Sequence, residues 1–148
     1  MNPFDPKPAL LAKHAQHVVL VHFPIALFLT GVAFDFVAHG TGRATLAAAA
    51  YFNIVAAVSV LPALATGVLA WQWQLAGQKP KGLLLLHLAL GCASGLLIWL
   101  VGWIHFRRRR APGSVRARCH WPLELPAVVV VALTGHIGGF LSGVNVLG

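Results

Sequence analysis

The sequence predicts an all-α integral membrane protein, an up-down bundle of four transmembrane helices in one domain spanning residues 1–148. Composition and pattern predict it together. Of 148 residues, 58% are hydrophobic and 9% charged, against about 25% charged in a soluble domain. A water-facing surface needs more charge than this, so most of the chain faces something else. The pattern is four apolar runs, each as long as a spanning helix requires, about 20 residues, separated by short polar links.

The opening MNPFDPKPALLAKHAQH lacks the apolar core and small-residue cleavage site of a signal peptide, and reads as a polar arm. The first span is expected at 17–38 and the second at 44–71, the latter long enough to tilt and kinked at Pro62. The third is expected at 83–106 and the fourth at 123–146. The links HGTGR, QLAGQKPKG and RRRRAPGSVRARCHWP carry the Gly and Pro of helix ends. Short links make successive helices antiparallel neighbours.

Charge sets the orientation. Arg43, Arg107, Arg108, Arg109, Arg110, Arg116 and Arg118 fall on one side, and Lys7, Lys13, Lys79 and Lys81 on the other. The positive-inside rule assigns the arginine side to the cytoplasm and both termini to the periplasm of a bacterial inner membrane. Trp71 and Trp73 mark one interface, Trp103 and Trp121 the other. A net charge of +8 with three acids could suggest a polyanion partner. These basic residues sit between spans, where they determine topology, and no nucleic acid is expected. Cys92 lies in an apolar run and Cys119 in the basic loop, without the CxxC or CxxCH of a zinc ribbon or a covalently attached haem. No Ser/His/Asp grouping, paired catalytic carboxylates or phosphate loop is visible.

Eight histidines in so apolar a chain call for a reason. His22 is early in the first span, His87 early in the third and His136 in the second half of the fourth. The antiparallel topology brings these three to depths of roughly 6–15 Å from the periplasmic face, at 1.5 Å per residue. A lone intramembrane histidine is more often a packing residue. Three at one depth point to a shared centre, and bis-histidine ligation of a b-type haem fits best, each ring donating its other N–H to a carbonyl or hydroxyl. His87, Gly91 and Gly95 share one stripe, and Gly139 and Gly143 follow His136 at helical spacing. Such stripes would let a flat macrocycle lie on the backbone; the plainer reading is close helix contact. Lys79, Lys81, Gln72, Gln74 and Gln78 could receive propionates. His14 and His17 are expected at the interface, with His17 a further candidate ligand, although it points about 140° away from His22. His39, His105 and His120 read as ordinary interfacial residues. Asp35 reads as a structural ion pair with Arg43 or the Arg107 cluster, with proton handling or a quinone head as the alternative. Glu124 reads as a complement to its helix dipole. Ser59, Ala63 and Gly67 offer a small-residue stripe to a neighbouring helix.

The segment HVVLVHFPIALFLTGVAFDF, residues 17–36, closely resembles the first helix of domain-of-unknown-function family 2231, small four-helix bacterial membrane proteins. The matching positions are His17, His22, Phe23, Pro24, Ile25, Ala26, Leu27 and Asp35. His87 corresponds to the family's histidine early in the third helix, and Gly138 and Gly139 to the glycine pair closing the fourth. The TGHxGG form, with His136, resembles related membrane domains found beside c-type cytochromes. Val18 stands where the family usually has proline, and the tyrosine usual after the glycine pair is absent. The resemblance covers nearly the whole chain and implies a four-helix membrane domain, with haem and respiratory electron transfer as its associations.

The resulting expectation is a b-type cytochrome subunit, non-catalytic in itself. It would pass electrons from a quinol or a partner redox subunit to a periplasmic acceptor such as a c-type cytochrome, beside other membrane subunits of its complex. His22 with His87 match best in depth, and His87 with His136 lie on adjacent helices; one haem b is expected, or two if all inward histidines serve. The alternatives are a cofactor-free membrane anchor or assembly subunit, and a transition-metal permease with His14, His17, His22 and His87 at its entry. A cytoplasmic half poor in polar groups counts against transport.

Overall fold

The computed structural model describes residues 13–41, 43–74, 79–109 and 121–142. They form four helices: α1 (Lys13–Thr41), α2 (Arg43–Gln74), α3 (Gly82–Arg109) and α4 (Trp121–Leu141). All four are long and apolar enough to cross a membrane. Their apolar residues are spread around the whole circumference, as in helices surrounded by lipid or protein on every side. Pro24, Pro62 and Pro126 lie inside α1, α2 and α4, which continue through them. Ser142 N–H closes the last turn of α4 on Gly138 O at 2.9 Å. The last residues of the expected fourth span, 143–146, lie outside the described residues.

The surface is inverted relative to a soluble protein. Val19, Phe23, Phe36, Val58, Leu61, Leu96 and Val129 are among many large apolar side chains left exposed, while Asp35, Asn53, Ser94, His105 and Glu124 are buried. Lipid solvates the first group and cannot solvate the second.

Consecutive helices pack side by side, α1 on α2, α2 on α3 and α3 on α4, whereas α1 and α4 meet at few points. The bundle is therefore a curled row with a seam between its first and last helices. Across that seam Phe36 stacks on Trp121 with ring centroids 5.1 Å apart. The core at mid-bundle is one apolar layer built from Phe28, Ala56, Val60, Ile98, Val101, Ala127 and Val131. Helices that lipid would solvate equally well are held by close packing. The closest approach is at Gly102, where an added Cβ would come 2.5 Å from Ala57 Cβ and 2.7 Å from Asn53 O. Neither atom can swing away, being bound directly to the α2 backbone.

Gly102→Ala is expected to force α2 and α3 apart and to destabilise by about 1–3 kcal/mol. Gly91→Ala, whose Cβ would meet nothing within 4 Å, should leave stability unchanged. Thermal or denaturing-detergent unfolding of the two purified variants checks the contrast.

Candidate functional site

Two polar groupings lie inside the bundle, one on each side of the apolar layer. The first is a half-open cleft of about 80 Å³ lined by residues of all four helices. His17, Val21, Pro24 and Ile25 come from α1, Ala63 and Leu64 from α2, His87, Gly91, Ser94 and Gly95 from α3, and Val131 and Thr134 from α4. His17 Nδ1 donates to Ala63 O at 3.1 Å and lies 3.4 Å from Thr66 Oγ1. Its ring fits because residue 67 is glycine: a Cβ there would come 2.9 Å from His17 Cε1. His87 is seated the same way over Gly138, where a Cβ would come 3.0 Å from its Cε1. His87 Nδ1 is buried without a hydrogen bond of ordinary geometry, the backbone of Thr134 lying alongside. Thr134 Oγ1 donates to Val130 O at 2.7 Å. In its 2.8 Å contact with Ser94 Oγ, Ser94 is therefore the donor.

Of the imidazoles expected to converge, His87 alone faces the interior, and its companion there is His17. His22 is exposed and bonds Val18 O of its own helix. His136 is exposed and lies edge-on to Phe140, with ring centroids 5.0 Å apart. Angular phase explains both. The inward stripe of α4 runs Glu124, Ala127, Val131, then Thr134 and Gly138, and His136 falls about 140° from Val131. Gly138 meets the ring of His87. Gly91 opens on the cleft, but Gly95 is a helix contact whose Cβ would come 2.9 Å from Leu64 Cδ1. Lys79 and Lys81 are exposed before α3. The stripe of Ser59, Ala63 and Gly67, expected to face a neighbouring protein, is in part covered within the chain by His17. His120 and the side chains of His14 and His39 lie outside the described residues.

The second grouping overturns the sequence reading of His105 and Glu124, and gives Asp35 a partner that reading did not name. His105 Nε2 lies 2.8 Å from Asp35 Oδ2, 3.7 Å from Glu124 Oε1 and 3.3 Å from Asn53 Nδ2. Each helix supplies one member, and all four are buried. His105 is the centre of a buried network, not an interfacial residue. Asp35 is turned to that imidazole, and Glu124, 1% exposed, points into the bundle instead of merely decorating a helix start. Asn53 reaches the axis because residue 31 is glycine: a Cβ there would come 2.7 Å from the Asn53 amide. The arginine-rich half is thus well furnished with polar groups, and the objection to transport from a bare half falls.

Removing the centre should cost more than removing a rim member. His105→Ala leaves two adjacent buried carboxylates and is expected to destabilise by about 3–5 kcal/mol. Asn53→Ala should cost about 1 kcal/mol, and exposed His136→Ala no more than about 0.5 kcal/mol. Unfolding of the three variants in one detergent tests this order.

No curated protein and no solved structure matches the chain. A family model does, over residues 13–148, under the description "Predicted membrane protein (DUF2231)". That match takes in all four helices and both polar groupings, and the chain belongs to this family of membrane proteins.

Proposed function

We propose that this chain is an electron-transfer subunit of a membrane redox complex, a b-type cytochrome whose haem is held by His17 and His87. One observation carries the reading: two imidazoles from α1 and α3 line a single half-open cleft whose other walls are almost wholly apolar. The donor set suits haem iron. With Nδ1 turned to Ala63 O, His17 would ligate through Nε2, the arrangement that fixes the tautomer of metal-bound histidines. His87 offers an Nδ1 that finds no good partner in the protein. Gly91 leaves open space where a side chain would stand. When bound, haem supplies one-electron exchange between ferric and ferrous iron, at a potential tuned by its axial ligands and apolar shell. The protein's part is to orient two rings, each backed by a glycine, and to keep water away. With the arginine-rich end in the cytoplasm, the cleft belongs to the periplasmic half, facing an acceptor such as a c-type cytochrome. Neighbouring subunits would supply the quinol oxidation or other chemistry absent from this chain.

The size of the cleft favours a second reading. At about 80 Å³ it is smaller than a porphyrin and nearer to a quinol ring entering from lipid, with the imidazoles accepting its protons.

A reduced-minus-oxidised spectrum of detergent-purified protein, with a pyridine haemochrome assay, separates the two. The expected result is a b-type α band from about one haem per chain, lost in His17→Ala and His87→Ala and retained in His22→Ala and His136→Ala. Gly91→Leu fills the cleft while sparing both imidazoles and should also abolish the band. Haem-free protein from a host with ample haem would overturn the cytochrome reading, leaving quinol binding or a cofactor-free anchor.

A further inference from the structure

The network around His105 sets two buried carboxylates beside one imidazole and one amide. Asp35 and Glu124 bring two carboxylates to one imidazole, which can hold at most one positive charge. In a bilayer a buried carboxylate is costly unless a proton or a cation neutralises it. The unused donor atoms show where a cation would sit. Glu124 is 1% exposed, and neither of its carboxylate oxygens has a hydrogen-bond partner. Asn53 is fully buried, and its Oδ1 likewise has none. Ligand atoms of Asp35, His105 and Glu124 all lie within 4.8 Å of one another, a spread that small side-chain movements can close around one ion.

We propose that Asp35, His105 and Glu124, assisted by Asn53, bind one divalent first-row transition-metal cation inside the bundle. The donors define its class. One imidazole nitrogen with carboxylate oxygens suits Zn²⁺, Mn²⁺, Fe²⁺ or Co²⁺; the nitrogen disfavours Ca²⁺ and Mg²⁺, and the lack of sulfur disfavours Cu⁺. Two ionised carboxylates and a neutral imidazole leave the loaded site uncharged, which the membrane interior tolerates best. Entry is short: Asp35, His105 and Glu124 each sit three residues from an end of their spans, which reach Ala38, Arg108 and Trp121, about 4.5 Å along a helix. Arg107 does not occupy the site, its guanidinium lying over the Trp103 ring, 5.7 Å from the centroid. The four ligands come from four helices, so the ion would also clamp the bundle at the end where Phe36 and Trp121 close the seam.

This site is independent of haem, and the test keeps them apart. Full-length protein in detergent is stripped with chelator, loaded with Co²⁺ or Zn²⁺, freed of excess ion by gel filtration and assayed for metal. About one ion per chain is expected, with Co²⁺ giving the visible absorption of a nitrogen–oxygen site. Glu124→Gln keeps the side-chain shape and should weaken binding by more than the about 10–100-fold that loss of a supporting group brings. Asp35→Asn should do the same. His87→Ala should leave it unchanged whatever its effect on haem. Retention of no more metal than a Asp35→Asn/Glu124→Gln double variant retains, for Co²⁺, Zn²⁺ and Mn²⁺ alike, overturns the proposal and leaves the network as a polar lock neutralised by protons. Metal that binds equally well to wild type and Glu124→Gln overturns the assignment of these ligands.

Discussion

Lipid offers no hydrogen-bond partner to a polar side chain, so every such group in a spanning helix must find its partner within the bundle. Much of this fold follows from that constraint. Apolar side chains do little to choose between helix–helix and helix–lipid contact, because both environments are equally oily. His105 is where the choice is made. Its Nε2 faces Asp35, Asn53 and Glu124 at 2.8, 3.3 and 3.7 Å, so one point ties all four helices together. Rotating any of them by even a third of a turn would leave a polar group in hydrocarbon. The glycines complete the arrangement: Gly31 makes room for the Asn53 amide, and Gly102 lets α2 and α3 approach to contact.

The cleft obeys the same constraint in a looser form. His17 and His87 belong to different helices and are seated by glycines on their neighbours, Gly67 on α2 and Gly138 on α4. Each imidazole is thereby seated by backbone proximity. Ser94 and Thr134 satisfy each other and Val130 O, so they add little demand on whatever enters. The first and last helices, α1 and α4, meet at few points along their length. The other end is bridged by stacked rings and the His105 network.

Four helices and their order were legible because length and hydropathy are local properties of the chain. The depth of His87 was legible too, since it follows from topology and a rise of 1.5 Å per residue. Angular phase was the weaker link. His22 and His136 have suitable depths but the wrong azimuth, and the 100° step per residue already separates His136 from the stripe of Glu124, Ala127 and Val131. The His105 network was within reach of the same depth arithmetic, since Asp35, His105 and Glu124 all lie one helical turn from the same end of the bundle. It went unread because each residue had a sufficient local explanation: an ion pair with arginine, an interfacial imidazole, a helix dipole. Only Asn53 gave no such signal, and its role depends on the glycine opposite it, which sequence spacing alone does not reveal.

The two polar layers have a consequence for what can cross this bundle. Between them stands the apolar layer of Phe28, Ala56, Val60, Ile98, Val101, Ala127 and Val131, in which Phe28 is fully buried. Along α3, Ser94 and His105 are eleven positions apart, about 16 Å, and no buried polar side chain of α3 lies between them. An ion or a proton leaving the His105 network toward the cleft would have to shed every ligand to pass this layer, at the full penalty of charge in hydrocarbon. Polar groups in both halves therefore do not make a conduit. Each grouping lies on its own side of the apolar layer. Under the proposed electron-transfer role, this separation would let charge be exchanged at the cleft without a leak of protons through the same protein.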